Sequence, residues 1–131
     1  MSGTVKIECQ KKLVTTRVEG RVSLEDMLSH AHLLKSDHAF HPDYSNLIDL
    51  SLFTGTDLNQ DAMKAFAHGF QGEIFAPSAK RAVVAPSDPG FDLSRKFQSM
   101  RPDQENFQVF HTMDEALHWL QAAPNKAMLF E

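Results

Sequence analysis

Apolar and polar residues alternate with the period of a β-strand at the start of this chain of 131 residues. Val5, Ile7 and Cys9 are separated by polar residues, a pattern typical of a half-buried strand. After a short polar connection, the run from Leu13 to Val18 is rich in β-branched residues. We therefore predict an antiparallel hairpin whose second strand ends at Gly20.

Three short apolar runs follow, and each leads into a segment with apolar residues at helical spacing. The runs are 47–50, 81–85 and 107–110. The first is apolar on both sides of the alternation, as buried central strands are, and the second is predicted to be buried in the same way. The loop 52–56, which contains a glycine, connects the first run to a long predicted helix. The pattern therefore predicts successive βα units.

Capping residues stand at the start of every predicted helix. Ser23 precedes the first apolar stripe, and Thr112 with Glu115 predicts a capping box. Asp57 and Asp88 are the predicted N-caps of the two helices between them. The complete pattern predicts an α/β fold with a five-stranded mixed sheet and four main helices, in which an N-terminal antiparallel hairpin precedes parallel βα units.

The length of the chain is that of one domain. We predict a single domain over 1–131, with a core at 5–122 and a C-terminal tail at 123–131. The tail is apolar, so we expect it either to pack on the body or to contact a partner. A homodimer held by this tail is one such arrangement.

Charge and cysteine content exclude several classes of function. The formal net charge of −4 and the pI near 5.9 argue against nucleic acid as a partner. Cys9 is the single cysteine, which rules out an internal disulfide and suits a reducing compartment. No segment has the roughly 18 consecutive apolar residues of a membrane span, and the N-terminus lacks the apolar core of a secretion signal. We expect a cytoplasmic protein.

Several motifs along the chain resemble those of the SpoIIAA-like proteins, relatives of the STAS domains, and specifically their small stand-alone bacterial branch. They are 18–20 leading into 23–26, Phe40-His41-Pro42, 47–50, 81–85 and 115–120. The resemblance extends over residues 5–122 and implies an α/β sheet of the SpoIIAA-like kind, no known enzymatic activity and a role in protein interaction, with a regulatory protein as partner. We predict no cofactor. The implied fold is also similar to that of CRAL-TRIO domains, which bind lipids in an apolar cavity.

One position departs from the pattern of the anti-sigma factor antagonists among the STAS proteins. Their Asp-Ser-Ser-Gly-Leu motif carries a serine that opens a helix and is phosphorylated. Matching the motif to this chain places its aspartate at Asp57 and the acceptor serine at Leu58. Leucine has no hydroxyl to phosphorylate, and Thr54 and Thr56 lie away from the motif position. A phosphorylation switch therefore loses its main support.

The helix predicted after Asp57 carries phenylalanines and is loosened by two glycines, Gly69 and Gly72. We predict that it is a mobile lid over a small apolar or amphipathic, lipid-like ligand. The predicted ligand-binding residues are apolar walls at Phe66, Phe70, Phe75 and Phe91, with a polar rim at Thr56, Ser87 and His111. The alternative is that these phenylalanines are ordinary core residues. Peripheral membrane contact is disfavoured, because the polar face of this helix is not enriched in basic residues.

The sequence contains no clear motif for a metal site or a catalytic site. His38 and His41 form the densest candidate metal-ligand set among seven histidines, but they lie in a loop without a metal-binding motif, so we predict no metal. No serine nucleophile motif occurs. A small enzyme that uses His111 with Asp88 is kept as an alternative. A regulatory module that binds a protein partner is the main alternative to ligand binding.

Overall fold

The protein was analysed as a computed structural model, which describes residues 2–65, 79–100 and 106–121. Its five strands form one sheet in chain order. They are β1 (Ser2–Glu8), β2 (Leu13–Val22), β3 (Ser45–Thr56), β4 (Arg81–Val84) and β5 (Phe107–Phe110). The β1–β2 pair is antiparallel and every other neighbouring pair is parallel. The predicted mixed sheet is therefore confirmed.

The described residues form four helices, as predicted. They are α1 (Leu24–Ser36), α2 (Gln60–Ala65), α3 (Asp88–Met100) and α4 (Met113–Gln121). α1 begins with a capping box in which Ser23 Oγ accepts from Asp26 N–H at 3.1 Å and Asp26 accepts from Ser23 N–H at 2.9 Å. These two bonds lower the pKa of the Asp26 carboxyl. At the start of α4, Thr112 Oγ1 accepts from Glu115 N–H at 3.2 Å, so Thr112 is the N-cap, and its hydroxyl donates to Glu115 Oε1 at 3.0 Å.

The strand register divides the helices between the two faces of the sheet. Leu47, Ala82 and Val84 point to one face, where they are buried with Ala116 of α4. The neighbouring residues Ile48 and Val83 point to the opposite face, which α1, α2 and α3 cover. Since successive side chains of a strand alternate, one of the four described helices packs on the first face and three pack on the second.

The parallel strands begin with a buried polar row on the three-helix face. Thr16 Oγ1 donates to Asn46 Oδ1 at 3.4 Å, and both residues are buried. Asn46 is in register with Arg81, whose side chain is only 1% exposed. The residues that follow on the same face are apolar, at Val18, Ile48 and Val83.

The structure corrects three details of the sequence prediction. The predicted loop 52–56 is the second half of β3, because β2 continues beyond Gly20 and pairs with it. Asp57 is not an N-cap: α2 begins at Gln60, and Asn59 Oδ1 accepts from Ala62 N–H at 2.8 Å. The cap of α3 moves by one residue, since the carbonyl of Ser87 accepts from Phe91 N–H and Asp88 is already helical.

Candidate functional site

A cavity of about 160 Å³ lies between the three-helix face of the sheet and its helices. Its walls are almost entirely apolar, and it is partly open to solvent. Every strand except β1 contributes to the cavity, mostly from its carboxyl half. Its lining residues are Val18, Val22, Met27, Ile48, Leu50, Phe53, Thr56, Leu58, Met63, Val83, Leu93, Ser94, Phe97 and Phe107.

The end of the cavity is formed by an arm in which β2 and β3 run on together past the other strands. The register of this pair shifts at Gly20, which has a φ of 77° that favours glycine. β3 pairs with β4 only as far as Asp49, whereas its pairing with β2 continues to Thr56. The arm brings Val22, Phe53 and Thr56 over the cavity.

An exposed ion pair closes the tip of the arm. Arg21 Nε donates to Asp57 Oδ1 at 2.9 Å, and Arg21 Nη2 contacts the same oxygen. These hydrogen bonds, followed by the charge attraction, lower the pKa of Asp57 and raise that of Arg21. Gly55 lets the guanidinium lie over the backbone, because a Cβ there would stand 3.0 Å from Arg21 Nη1. The pair therefore ties the end of β3 to β2.

Two hydroxyl groups line the cavity in the described part of the chain, and both already form hydrogen bonds with the backbone. Thr56 Oγ1 donates to the Val22 carbonyl at 2.7 Å and accepts from Leu58 N–H at 3.2 Å. Ser94 Oγ donates to the Gly90 carbonyl at 2.7 Å. No charged residue is among the lining residues that the structure describes. The cavity therefore suits an uncharged apolar group.

The predicted ligand-binding residues that the structure describes do not form one site. Thr56 lines the cavity. Phe91 packs against the cluster of Val83, Ala85 and Phe107, and its ring stacks on the exposed His111 with centroids 4.0 Å apart. Ser87 is exposed at the start of α3. The remaining predicted residues, Phe66, Phe70 and Phe75, lie outside the described residues.

The helical part of the cavity wall was assigned by the sequence to apolar stripes rather than to a site. Met27, Met63, Leu93 and Phe97 all belong to such stripes. The sequence placed Leu58 directly after the predicted N-cap Asp57 and assigned it no role in a site, whereas α2 begins two residues later, at Gln60. The signal that points to it is the motif comparison, which places Leu58 where an acceptor serine is expected. In the structure its side chain lines the cavity.

The other candidate chemistry is not assembled in the described part of the chain. There, no group of three or more His, Cys, Asp or Glu side chains is placed to hold a metal ion. The His41 Nδ1 atom lies 3.5 Å from Asp43 Oδ2 in an exposed loop. His111 stacks on Phe91, and no described hydrogen bond joins it to Asp88. Among the described helices, none is long and apolar enough to cross a membrane.

Two solved structures are similar to this one over almost their whole length. An uncharacterised protein of the DUF3478 family with a SpoIIAA-like fold, from Shewanella loihica PV-4, has 20% sequence identity and a TM-score of 0.58. The match covers 91% of this chain and 92% of that one. The chain has the SpoIIAA-like fold. The anti-sigma factor antagonist SpoIIAA in its unphosphorylated form has 14% identity and a TM-score of 0.58, with 93% of this chain and 100% of that chain covered.

Comparison by sequence adds no relative: no protein-family model matches the chain, and no curated protein matches it. At 14% and 20% identity, the solved structures establish the SpoIIAA-like fold alone.

Proposed function

We propose that this protein is a non-enzymatic regulatory module that acts by binding a protein partner. The main support is the likeness to an anti-sigma factor antagonist, which extends over 93% of this chain and 100% of the other. This is an argument by analogy of fold. The partner expected on that analogy is an anti-sigma factor.

The outer edge of the β2–β3 arm is the surface that we assign to this partner. Leu52 lies there with 47% of its surface exposed, beyond the last residue of β3 that pairs with β4. The exposed Arg21–Asp57 ion pair lies further along the same arm. An apolar side chain with charged neighbours suits the centre of a protein interface, where a few residues supply most of the binding energy.

Phosphorylation at the start of α2 is not the regulatory input in this proposal. Leu58, at the position matched to the acceptor serine, has no hydroxyl and lines the apolar cavity. The nearest threonine, Thr56, is half-buried, and its hydroxyl donates to the Val22 carbonyl. A kinase would have to break that hydrogen bond and pull the arm away from the cavity to reach the oxygen.

Isothermal titration of this protein with purified anti-sigma factors of the source organism tests the proposal. We expect micromolar or tighter binding to one of them, and Leu52→Asp to weaken it at least about tenfold. Leu33→Asp is the matched control, because Leu33 is also an exposed leucine, at 70%, but lies on α1 away from the arm. Absence of binding to every anti-sigma factor, or equal loss in both variants, would refute the proposal.

The cavity favours a second function, the binding of a small apolar ligand. Its volume of about 160 Å³ is close to that of engineered apolar cavities that bind benzene or xenon. Both lining hydroxyls donate to backbone carbonyls, so the ligand needs no polar group to satisfy them. A ring of about six carbon atoms matches this space, and a longer lipid-like chain would extend beyond it.

Two serines of α3 provide a matched pair of variants for this second function. Ser94 lines the cavity, Ser99 is exposed, and each hydroxyl donates to a carbonyl of its own helix. We expect benzene to shift the methyl NMR signals of cavity residues in the wild type and in Ser99→Leu. Ser94→Leu fills the cavity and should abolish these shifts. Unchanged spectra in the wild type, or equal shifts in both variants, would contradict ligand binding.

A further inference from the structure

β1 forms one edge of the described sheet. It pairs with β2 over seven residues without a register shift, and the strand order places nothing described on its other side. It contains no proline. An edge of this kind presents a row of backbone N–H and C=O groups that can pair with another strand. The partner that fits this edge is therefore an extended polypeptide chain rather than a small molecule.

A groove of about 450 Å³ runs beside this edge, between β1 and α1. Val5 and Leu33 give it exposed apolar surface, with exposed fractions of 38% and 70%. The residues that line it are Gly3, Val5, Ile7, His30, Leu33, Leu34, Asp37 and Ala39. Because Gly3, Val5 and Ile7 alternate along β1, they share the face that looks into the groove.

His30 keeps the groove uncharged near neutral pH. Its Nε2 atom is buried and has no hydrogen-bond partner among the described residues. This burial lowers the pKa of the imidazole below its ordinary value. The only formal charge among the described lining residues is Asp37, so an apolar surface can enter along β1 without meeting a row of charges.

The order of side chains along β1 is self-complementary about Val5. Antiparallel pairing of two copies centred on Val5 uses the whole strand, and it places Ile7 of one copy opposite Gly3 of the other. The large side chain of Ile7 therefore lies opposite a glycine, which has no side chain. On the opposite face, Lys6 meets Thr4 of the second copy, so no like charges stand directly opposite each other.

We propose that β1 pairs with β1 of a second copy of this chain about a two-fold axis at Val5, joining two five-stranded sheets into one. The two grooves then merge along the joined edge, and Leu33 of each copy lines the merged groove. Such an interface uses the same surface on both copies, as two-fold dimers do. The proposal does not rest on the proposed function, because β1 lies outside both the β2–β3 arm and the cavity.

Sedimentation velocity of the full chain over a range of concentrations tests the proposal. We expect the wild type to be a dimer, and Val5→Lys to raise its dissociation constant at least about tenfold by placing two lysines opposite each other. Leu24→Lys is the matched control, because Leu24 is exposed to the same 38% but does not line the groove. It should remain dimeric, and circular dichroism should show that both variants are folded.

A cysteine cross-link tests the register independently. In a Cys9→Ser background, Val5→Cys places two thiols opposite each other, within the range that a disulfide spans. Copper phenanthroline with oxygen removes the two thiol hydrogens and forms the bond. We expect rapid covalent dimer formation with Val5→Cys and none with Leu24→Cys. A monomeric wild type, a dimer that survives Val5→Lys, or equal cross-linking at both positions would overturn the proposal.

Discussion

The two faces of the sheet are built from the same strands but packed in different ways. On the α4 face, Ala82 and Ala116 are both completely buried and bring the helix close to the strands. On the three-helix face, large side chains such as Phe97, Phe107 and Met63 meet, and a cavity of about 160 Å³ is left among them. Small side chains allow close contact, whereas several large ones in contact leave gaps unless their shapes fit.

This difference separates a face that stabilises the fold from a face that is available for function. A close-packed interface tolerates little change in volume, and any change in it is transmitted to the strands. A face with a void accepts added atoms and can admit a ligand. The contrast predicts opposite responses to the same kind of substitution, depending only on which face receives it.

The largest effect is expected from Ala116→Leu, which inserts a bulky side chain between α4 and the sheet. Because Ala116 is fully buried in a close-packed cluster, we expect a loss of about 3 kcal/mol in the free energy of unfolding. Ser94→Leu adds a side chain of similar kind to the cavity face and should change stability by no more than about 1 kcal/mol. Urea unfolding measures both; equal losses would contradict the contrast between the faces.

A sharper comparison uses two neighbouring valines of β4. Val83 lines the cavity and Val84 packs under α4, and both are buried. Val84→Ile should destabilise the protein by about 1 kcal/mol through overpacking. Val83→Ile should stabilise it by up to about 0.8 kcal/mol, because the added methylene fills empty space. Changes of the same sign in thermal unfolding would show that the two faces are packed alike.

The N-cap residues of α1 and α4 allow the same comparison at the level of helices. Ser23→Ala and Thr112→Ala each remove a side-chain acceptor from a helix start and should cost about 1 kcal/mol. α1 lies on the face with the cavity, so we expect its amides to lose hydrogen-exchange protection before global unfolding. α4 is held by the buried alanine contact and should exchange only with the whole domain. If the amides of both helices exchange before global unfolding, the two faces do not differ in this respect.

The smallest effect is expected on the pH dependence of the free energy of unfolding. Burial lowers the pKa of His30 on α1 below its ordinary value of 6.5, so the folded protein favours the neutral ring. The unfolded chain binds more protons near pH 6, and stability therefore rises with pH in this range. This contribution is present above pH 6.5 and is lost as the pH falls through the folded pKa. His30→Gln should reduce the change in the free energy of unfolding between about pH 7.5 and pH 5.5. If the variant shows the same change as the wild type, the pH dependence comes from other groups.

The sequence predicted the elements that depend on local chemistry. The N-caps at Ser23 and Thr112 require only residues three positions apart, and both are present. Asp57 was predicted as a cap by the same rule, but Arg21, which is distant along the chain, holds its carboxylate instead. Rules that use only neighbouring residues cannot predict a partner that is distant along the chain. For the same reason the segment 52–56 was predicted as a loop, although it pairs with β2 as a strand.

The candidate site was predicted less completely than the fold. Thr56 lines the cavity, whereas Phe91 and His111 stack on each other outside its described lining. Phe66, Phe70 and Phe75 lie outside the described residues, so their predicted role as cavity walls stays a prediction. Helical spacing marks Met27, Met63 and Phe97 as buried, but a buried side chain that fills its space and one that borders a void have the same pattern.

What this sequence determined by itself is the α/β order of elements, because strand alternation, helical stripes and caps act over a few residues. The tertiary structure decided which face is close-packed and which contains a cavity. That outcome depends on the sizes of side chains that meet from distant segments, such as Ala82 with Ala116 and Val83 with Phe107. The packing of these pairs is set only when the strands and helices come together.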